Sequence, residues 1–456
     1  MTTIINKQAI DMENTYENIS KSRSKFWILM LGFMALIYVR NIMKIEFPII
    51  IPLVYICFMA FLSDRDEIVA LGISLVPFSS AFQYRYALLC LMVIYTVKFI
   101  DDVKRSKINV YIPLVLMMVW EVLHVFSGEF SFVAYFQGFS ELIFCTFIIS
   151  LPKKNFDFSF LTRVLAITIV FACSITFFKL LDKVNYRFEA LFLDGKYRFG
   201  SAEDEVKSYA MSYNANALGF MCNLGISALF LRMKKLRVNF VDILLISAMV
   251  FYGLLTLARS FVICLALLLV MFMFASENRP GKVIKNIATI TILSAVLLFV
   301  LNLVVPYVFE NILARFNEDD VTGGRTYLMQ WYGEQIFKNP KIFFFGTGIQ
   351  NLVANSNELA HIEVTSVPHN GMQEVMAAWG LPGFVIFTAF CIVMISASKK
   401  KGKRRNMLNF MPSILMFVMI QSGQLITSGF KLVAFVFLYV TLCAEIPKEK
   451  NSKKAI

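Results

Sequence analysis

Apolar residues run in blocks of 16 to 24 along this chain, separated by short polar stretches rich in lysine and arginine. A helix needs roughly 20 apolar residues to cross a hydrocarbon core. The pattern therefore predicts helices that cross a membrane at 26–43, 46–62, 67–82, 84–100, 109–127, 130–151, 161–181, 215–231, 241–257, 260–275, 286–309, 382–398, 408–424 and 429–445. The third span is the least regular, because Pro77 and the pair Ser79-Ser80 interrupt it. The fold expected is all-α and polytopic, with about fourteen transmembrane helices. Residues 1–25 and 446–456 read as tails, and 26–445 as one transmembrane domain with outer loops at 182–214 and 310–381. The opening residues are polar and no small-residue cleavage site follows the first apolar run, so that run reads as an uncleaved span.

Composition agrees with the pattern. Of 456 residues, 58% are hydrophobic and only 16% charged, against about 25% charged in a soluble domain. The net charge of +13 first raises the question of nucleic acid. Its placement answers otherwise, since no basic face with interleaved aromatics lies outside the apolar blocks. The basic residues cluster instead in alternate loops, as in Lys104, Arg105 and Lys107; Arg232, Lys234, Lys235 and Arg237; and Lys399-Lys400-Lys401-Gly402-Lys403-Arg404-Arg405. By the positive-inside rule both termini face the cytoplasm, and the basic loops contact anionic lipid. Arg40 and Lys44 fit this alternation less well. The eight cysteines lie in or beside apolar blocks and form no CxxC pair, so they read as buried hydrophobes rather than disulfides or metal ligands.

The loop from Glu310 to Leu381 carries the chemistry. It opens on Ala314-Arg315-Phe316 and the acidic Glu318-Asp319-Asp320, then passes through Gly323-Gly324-Arg325-Thr326. Tyr327, Leu328, Trp331 and Ile336 then recur at helical spacing, which predicts an amphipathic helix from near Arg325 to just before Asn339-Pro340. A turn follows at Phe345-Gly346-Thr347-Gly348. Asn370 reads as a helix N-cap, with Gln373 as its capping-box partner and Gly380 and Pro382 ending the helix. His369 falls just outside that N-terminus. A helix N-terminus, arginine forks and an imidazole together suit a reaction in which a lipid-linked pyrophosphate leaves and an alcohol attacks. Taken singly, Arg325 also fits an ordinary solvated arginine, and His369 a polar residue flanking a helix. Arg259, between two spans, is harder to read as bland. Glu121 and His124 share one helix face inside an apolar span, and Glu141 is similar. Two readings of the pair stand side by side: a functional pair lining a cavity, or a polar contact between helices.

At these residues the chain resembles the O-antigen ligase and polymerase family, including capsular and exopolysaccharide polymerases. The resemblance rests on Arg198-Phe199-Gly200, Asn214-Ala215-Asn216 with Gly219, Leu257-Ala258-Arg259-Ser260, and Gly323-Gly324-Arg325 opening a Trp-containing helix. It continues through Asn339-Pro340 and Gly346-x-Gly348 to His369-Asn370 and Gly380-Leu381-Pro382-Gly383. It covers roughly residues 195–400, and its specificity lies in the order and membrane placement of the motifs. Where the family has Asn-Pro-Asn, this chain has Asn214-Ala215-Asn216, a less rigid turn.

The resemblance implies a GT-C-like glycosyltransferase in a bacterial cytoplasmic membrane, with an undecaprenyl-diphosphate oligosaccharide as donor and with neither metal nor cofactor. It implies that Arg259 and Arg325 stabilise the pyrophosphate and that His369 orients or deprotonates the acceptor hydroxyl. Arg198, Asn216, Arg315 and Asn370 are then expected to bind substrate. Expected partners are lipid-linked oligosaccharides, membrane lipid, and a chain-length regulator and flippase of the same pathway, with no nucleic acid. A polysaccharide polymerase is the first expectation. An O-antigen-type ligase uses nearly the same residues, and a lipid-linked oligosaccharide flippase is the alternative of another class, although the chain shows no internal repeat.

Overall fold

The computed structural model describes residues 23–48, 50–78, 84–127, 130–152, 156–183, 185–187, 215–235, 239–274, 325–349 and 370–397, with isolated positions at 299, 310, 352 and 414–415. Among them every regular element is a helix. In chain order these are α1 (23–41), α2 (Ile50–Leu62), α3 (Arg65–Leu75), α4 (Tyr84–Lys98), the short α5 (Ile100–Lys104), α6 (Ile112–Val122), α7 (Phe132–Ser150) and α8 (Phe158–Lys183). There follow α9 (Ala215–Lys235), α10 (Phe240–Leu255), α11 (Arg259–Phe274), α12 (Arg325–Lys338), α13 (Pro340–Phe344) and α14 (Gly371–Ala397). Short 3₁₀ turns flank α6 at Ile108–Tyr111 and Leu123–Ser127. The spans expected at 286–309, 408–424 and 429–445 lie outside the described residues.

Among the described residues three stretches are long and apolar enough to cross a membrane: Ile108–Phe126, Ser159–Asp182 and Gly371–Ala397. This fits an all-α membrane protein. The other apolar helices are shorter, and α3 shows why. Its 11 residues reach only about 16 Å at ~1.5 Å per residue, well under a bilayer core of ~30 Å. From Asp66 to Leu75 every residue of α3 is buried. Within the described residues the span expected at 67–82 is a short internal helix packed on α4 and α8, ending in a 3₁₀ turn at Val76–Phe78, and its last residues, 79–82, lie outside the described residues. Pro77 in that turn lacks the N–H that would continue the helix.

The helices alternate in direction, and a belt of ionic contacts marks one end of the bundle. There Arg232 of α9 pairs with the fully buried Asp242 of α10, and Arg163 of α8 lies 3.3 Å from the same carboxylate. Arg232 also donates to the Ser159 hydroxyl at 2.9 Å. Arg23 at the start of α1 pairs with Asp66 and reaches Asp157 at 3.7 Å. Asp157 in turn caps α8, accepting the Ser159 and Phe160 amides at 3.0 and 3.1 Å. Arg65 meets Asp102 at 2.7 Å, and Lys98 donates to the terminal Phe61 carbonyl of α2 at 2.9 Å. At the opposite end Lys44, past α1, bonds Asp182 of α8 at 2.8 Å. The Asp182 carboxylate holds the Lys44 ammonium above its ordinary pKa. The ionic end is the one from which the basic loops emerge. The opposite end, called the loop end below, carries the C-termini of α6 and α10 and the N-termini of α9, α11 and α14.

Candidate functional site

Two corners of the loop end hold the sequence-predicted residues whose positions are described. The first is where α9 begins and α10 turns into α11. Thr256 and Leu257 make that turn. The Thr256 hydroxyl donates to the Gly253 carbonyl at 2.6 Å and accepts from the Ala258 amide at 3.3 Å. Leu257 takes a positive φ of 49°, a conformation non-glycine residues seldom adopt. Arg259 is thereby set at the first position of α11, half-buried. Asn216 lies in the first turn of α9, and Gly219, one turn on, lets α9 approach Phe261 and Thr256. Asn223 of α9 donates to the Phe261 carbonyl at 3.1 Å, so the two N-termini stand side by side. Ala215 opens α9, at a first helical position where proline is also well tolerated.

The second corner joins α12, α13 and α14. Arg325 opens α12 and Lys338 ends it, as the periodicity predicts. Lys338 pairs with Glu334 on the exposed face at 2.8 Å and holds that carboxyl below its usual range. Asn339 caps α13, accepting the Lys341 amide at 3.1 Å, with Pro340 at the first helical position. Asn370 caps α14: its Oδ1 accepts the amides of Met372 and Gln373 at 3.0 and 3.1 Å. The reciprocal half of the expected capping box is not made. The Gln373 side chain turns away and donates to the Met329 carbonyl of α12 at 2.6 Å. That bond sets the start of α14 against the turn of α12 that follows Arg325. Asn370 thus spends its oxygen on the helix, and two of the N–H groups at that N-terminus are taken by the cap. Asn370→Ala is expected to destabilise the protein by about 1 kcal/mol, the usual loss for an N-cap, read as a lower thermal-unfolding midpoint in detergent. Arg198, Arg315 and His369 lie outside the described residues, His369 immediately before the cap.

The polar pair Glu121, in α6, and His124, in the 3₁₀ turn after it, meets the second corner directly. Glu121 is fully buried. It accepts the Trp379 indole N–H of α14 at 2.7 Å and the Ile349 amide at 3.1 Å. His124 lies 3.9 Å from the Glu121 carboxylate, and its Nε2 faces the Phe345 carbonyl at 3.1 Å. The pair is therefore a contact from a helix to the turn at 345–349 and to α14, not a helix-to-helix contact alone. Glu141, deeper in α7, pairs with Arg85 of α4 at 3.1 Å and accepts from Tyr84.

The break in α14 explains why so many groups gather here. Gly380 adopts φ 62°, ψ −167°, a region essentially reserved for glycine, and Pro382 follows without an N–H. Carbonyls near the break lose their helical donors and need others, above all within a membrane. The Ala377 carbonyl accepts from the Thr347 amide at 2.9 Å. The Trp379 carbonyl accepts from the Trp120 indole of α6 at 2.9 Å. Sequence reasoning missed Trp120 and Trp379 as partners. It also missed Glu374, a buried carboxylate in the first turn of α14; acid there complements the helix dipole, a signal present in the sequence.

Among the described residues no group of histidine, cysteine or acidic side chains is placed to hold a metal ion. Chemically, the loop end presents one half-buried guanidinium at a helix N-terminus, a second arginine opening α12, and a capped helix preceded by a histidine. No curated protein matches the chain. A family model described as O-antigen ligase matches residues 218–388, less than half of the chain, and supports its place among the O-antigen ligases and polymerases. The match takes in Arg259, Arg315, Arg325, His369 and Asn370 and leaves out Arg198 and Asn216.

Proposed function

We propose that this member of the O-antigen ligase and polymerase family is a polysaccharide polymerase, which joins lipid-linked oligosaccharide repeat units on the outer face of a bacterial cytoplasmic membrane. The observation that carries the reading is that Arg259, Arg325 and the Asn370 cap each stand at a helix N-terminus within the segment that the family model matches.

The donor is an undecaprenyl-diphosphate glycan, which binds with its diphosphate towards Arg259 and Arg325. His369 accepts the proton of the acceptor hydroxyl as that oxygen attacks the anomeric carbon. The new glycosidic C–O bond forms as the bond to the diphosphate breaks. The electron pair leaves with the diphosphate, and the two guanidinium groups stabilise the added charge. Arg198, Arg315 and Asn216 hold glycan or the second lipid-linked phosphate. The dipole of the first half of α14 favours the diphosphate, although its cap occupies the amides of Met372 and Gln373. No step calls for a metal or a nucleotide sugar.

The family description favours one second reading, a ligase that moves glycan onto a different acceptor. Product analysis decides between them. Purified protein in nanodiscs receives the lipid-linked repeat unit as its sole substrate, with EDTA present. A ladder of longer lipid-linked glycans, with free lipid diphosphate released, is the expected result. Transfer that waits for a different acceptor lipid identifies the ligase. Unchanged repeat units moved between leaflets identify a flippase and overturn the enzyme.

A further inference from the structure

The structure assigns Glu121 of α6 a role as the positioning residue that fixes the turn 345–349 and the first half of α14, and so sets where the His369-Asn370 end of that helix meets substrate. This rests on the polymerase reading above.

Three segments distant in sequence meet at Glu121. Its partners Ile349 and Trp379 stand 228 and 258 positions away. One oxygen accepts the Trp379 indole, the other the Ile349 amide at 3.1 Å. α6 and the 3₁₀ turn after it supply two more ties: Trp120 donates to the Trp379 carbonyl and the His124 ring meets the Phe345 carbonyl. The turn itself reaches α14 through the Thr347 amide and the Ala377 carbonyl at 2.9 Å. Across this contact Gly346 and Gly380 let the two backbones touch. Trp379 is fully buried and stacks on Phe139 of α7 with centroids 5.9 Å apart, so its indole has little freedom to follow a lost acceptor.

A carboxylate is costly in a membrane interior, where an apolar residue would pack the helix as well. It suits this position because it accepts from two donors on two different segments, and either donor would otherwise be buried without a partner. Trp379 is nine residues past Asn370, about 14 Å along the helix at ~1.5 Å per residue. A rotation or slip at Trp379 is therefore carried straight to the Asn370 cap.

The test uses the full chain in nanodiscs, with the lipid-linked repeat unit as substrate. Glu121→Gln keeps the shape but turns an amino group towards one of the two donors. We expect kcat to fall roughly 10- to 100-fold, as for a misplacement of order 1 Å remote from the reacting atoms. KM for the repeat unit should stay within about 3-fold, because ground-state binding is not removed. Trp379→Phe keeps the ring against Phe139 and loses one of the two bonds, so it should lose less. The two losses should combine to less than their product, since both act through one contact. An unchanged kcat in Glu121→Gln, or a raised KM with kcat intact, overturns the positioning role while leaving the polymerase reading in place. Should Glu121→Gln not fold, Trp379→Phe decides, and its unchanged kcat is the overturning result. Absence of turnover by the unaltered protein overturns the polymerase reading instead.

Discussion

Arg259→Ala is expected to cut glycan transfer on the order of 10²- to 10³-fold, the usual loss when one preorganised donor to developing negative charge is removed. The reason lies in how that arginine is held. It opens α11 immediately after a turn in which Leu257 has φ 49° and the Thr256 hydroxyl bonds both backwards and forwards. The backbone of Arg259 is thus set at a helix N-terminus before substrate arrives, and partial burial of the side chain reduces the screening of its charge by water. Arg259→Lys should recover part of the loss, because a point charge remains while the bidentate fork is gone. Assay of kcat and of kcat/KM on the lipid-linked repeat unit reads the result. Equal falls in both mark a contact made in the transition state. Full activity in Arg259→Ala removes this residue from the proposed mechanism.

The second large effect concerns stability. Gly380→Ala is expected to cost about 2–4 kcal/mol, combining a backbone conformation closed to other residues with overpacking against a neighbour that cannot retreat. A Cβ at Gly380 would lie 2.6 Å from the Phe344 carbonyl carbon and 2.7 Å from the Phe345 nitrogen. Both are backbone atoms, so no side-chain rotation relieves the clash. Gly346, at φ 79°, faces the same contact from the other side, and a Cβ there would overlap the Ala378 carbonyl. Gly346→Ala should therefore cost a similar amount, and the double variant less than the sum, because either change alone already separates the two backbones. Thermal unfolding in detergent measures both. A midpoint unchanged by Gly380→Ala would mean that the break in α14 is not held by the turn at 345–349.

The helix break also shows how sequence and structure divide the explanation. Gly380 and Pro382 announce a helix end in any sequence, because one frees φ and the other removes a donor. What accepts and donates at the freed groups is not written locally. Trp120, Thr347 and Glu121 reach the break from segments that only tertiary packing brings near. Likewise the pair Glu121 and His124 is visible in the sequence as an expensive intramembrane feature, and its spacing leaves open a pair lining a cavity or a polar contact between helices. The stronger partners lie on the turn and on α14.

By itself the sequence determined the membrane class, most helix positions, the Asn370 cap and the order of the candidate residues. Those depend on hydrophobic periodicity and on backbone chemistry within a few residues of each position. Tertiary structure alone decided that α3 is buried from Asp66 to Leu75, that Gln373 ties α14 to α12 instead of closing a capping box, and that the first turn of α11 packs on α9. Each of these depends on which donor meets which acceptor across the bundle, and such pairings are set by packing between segments far apart in the chain.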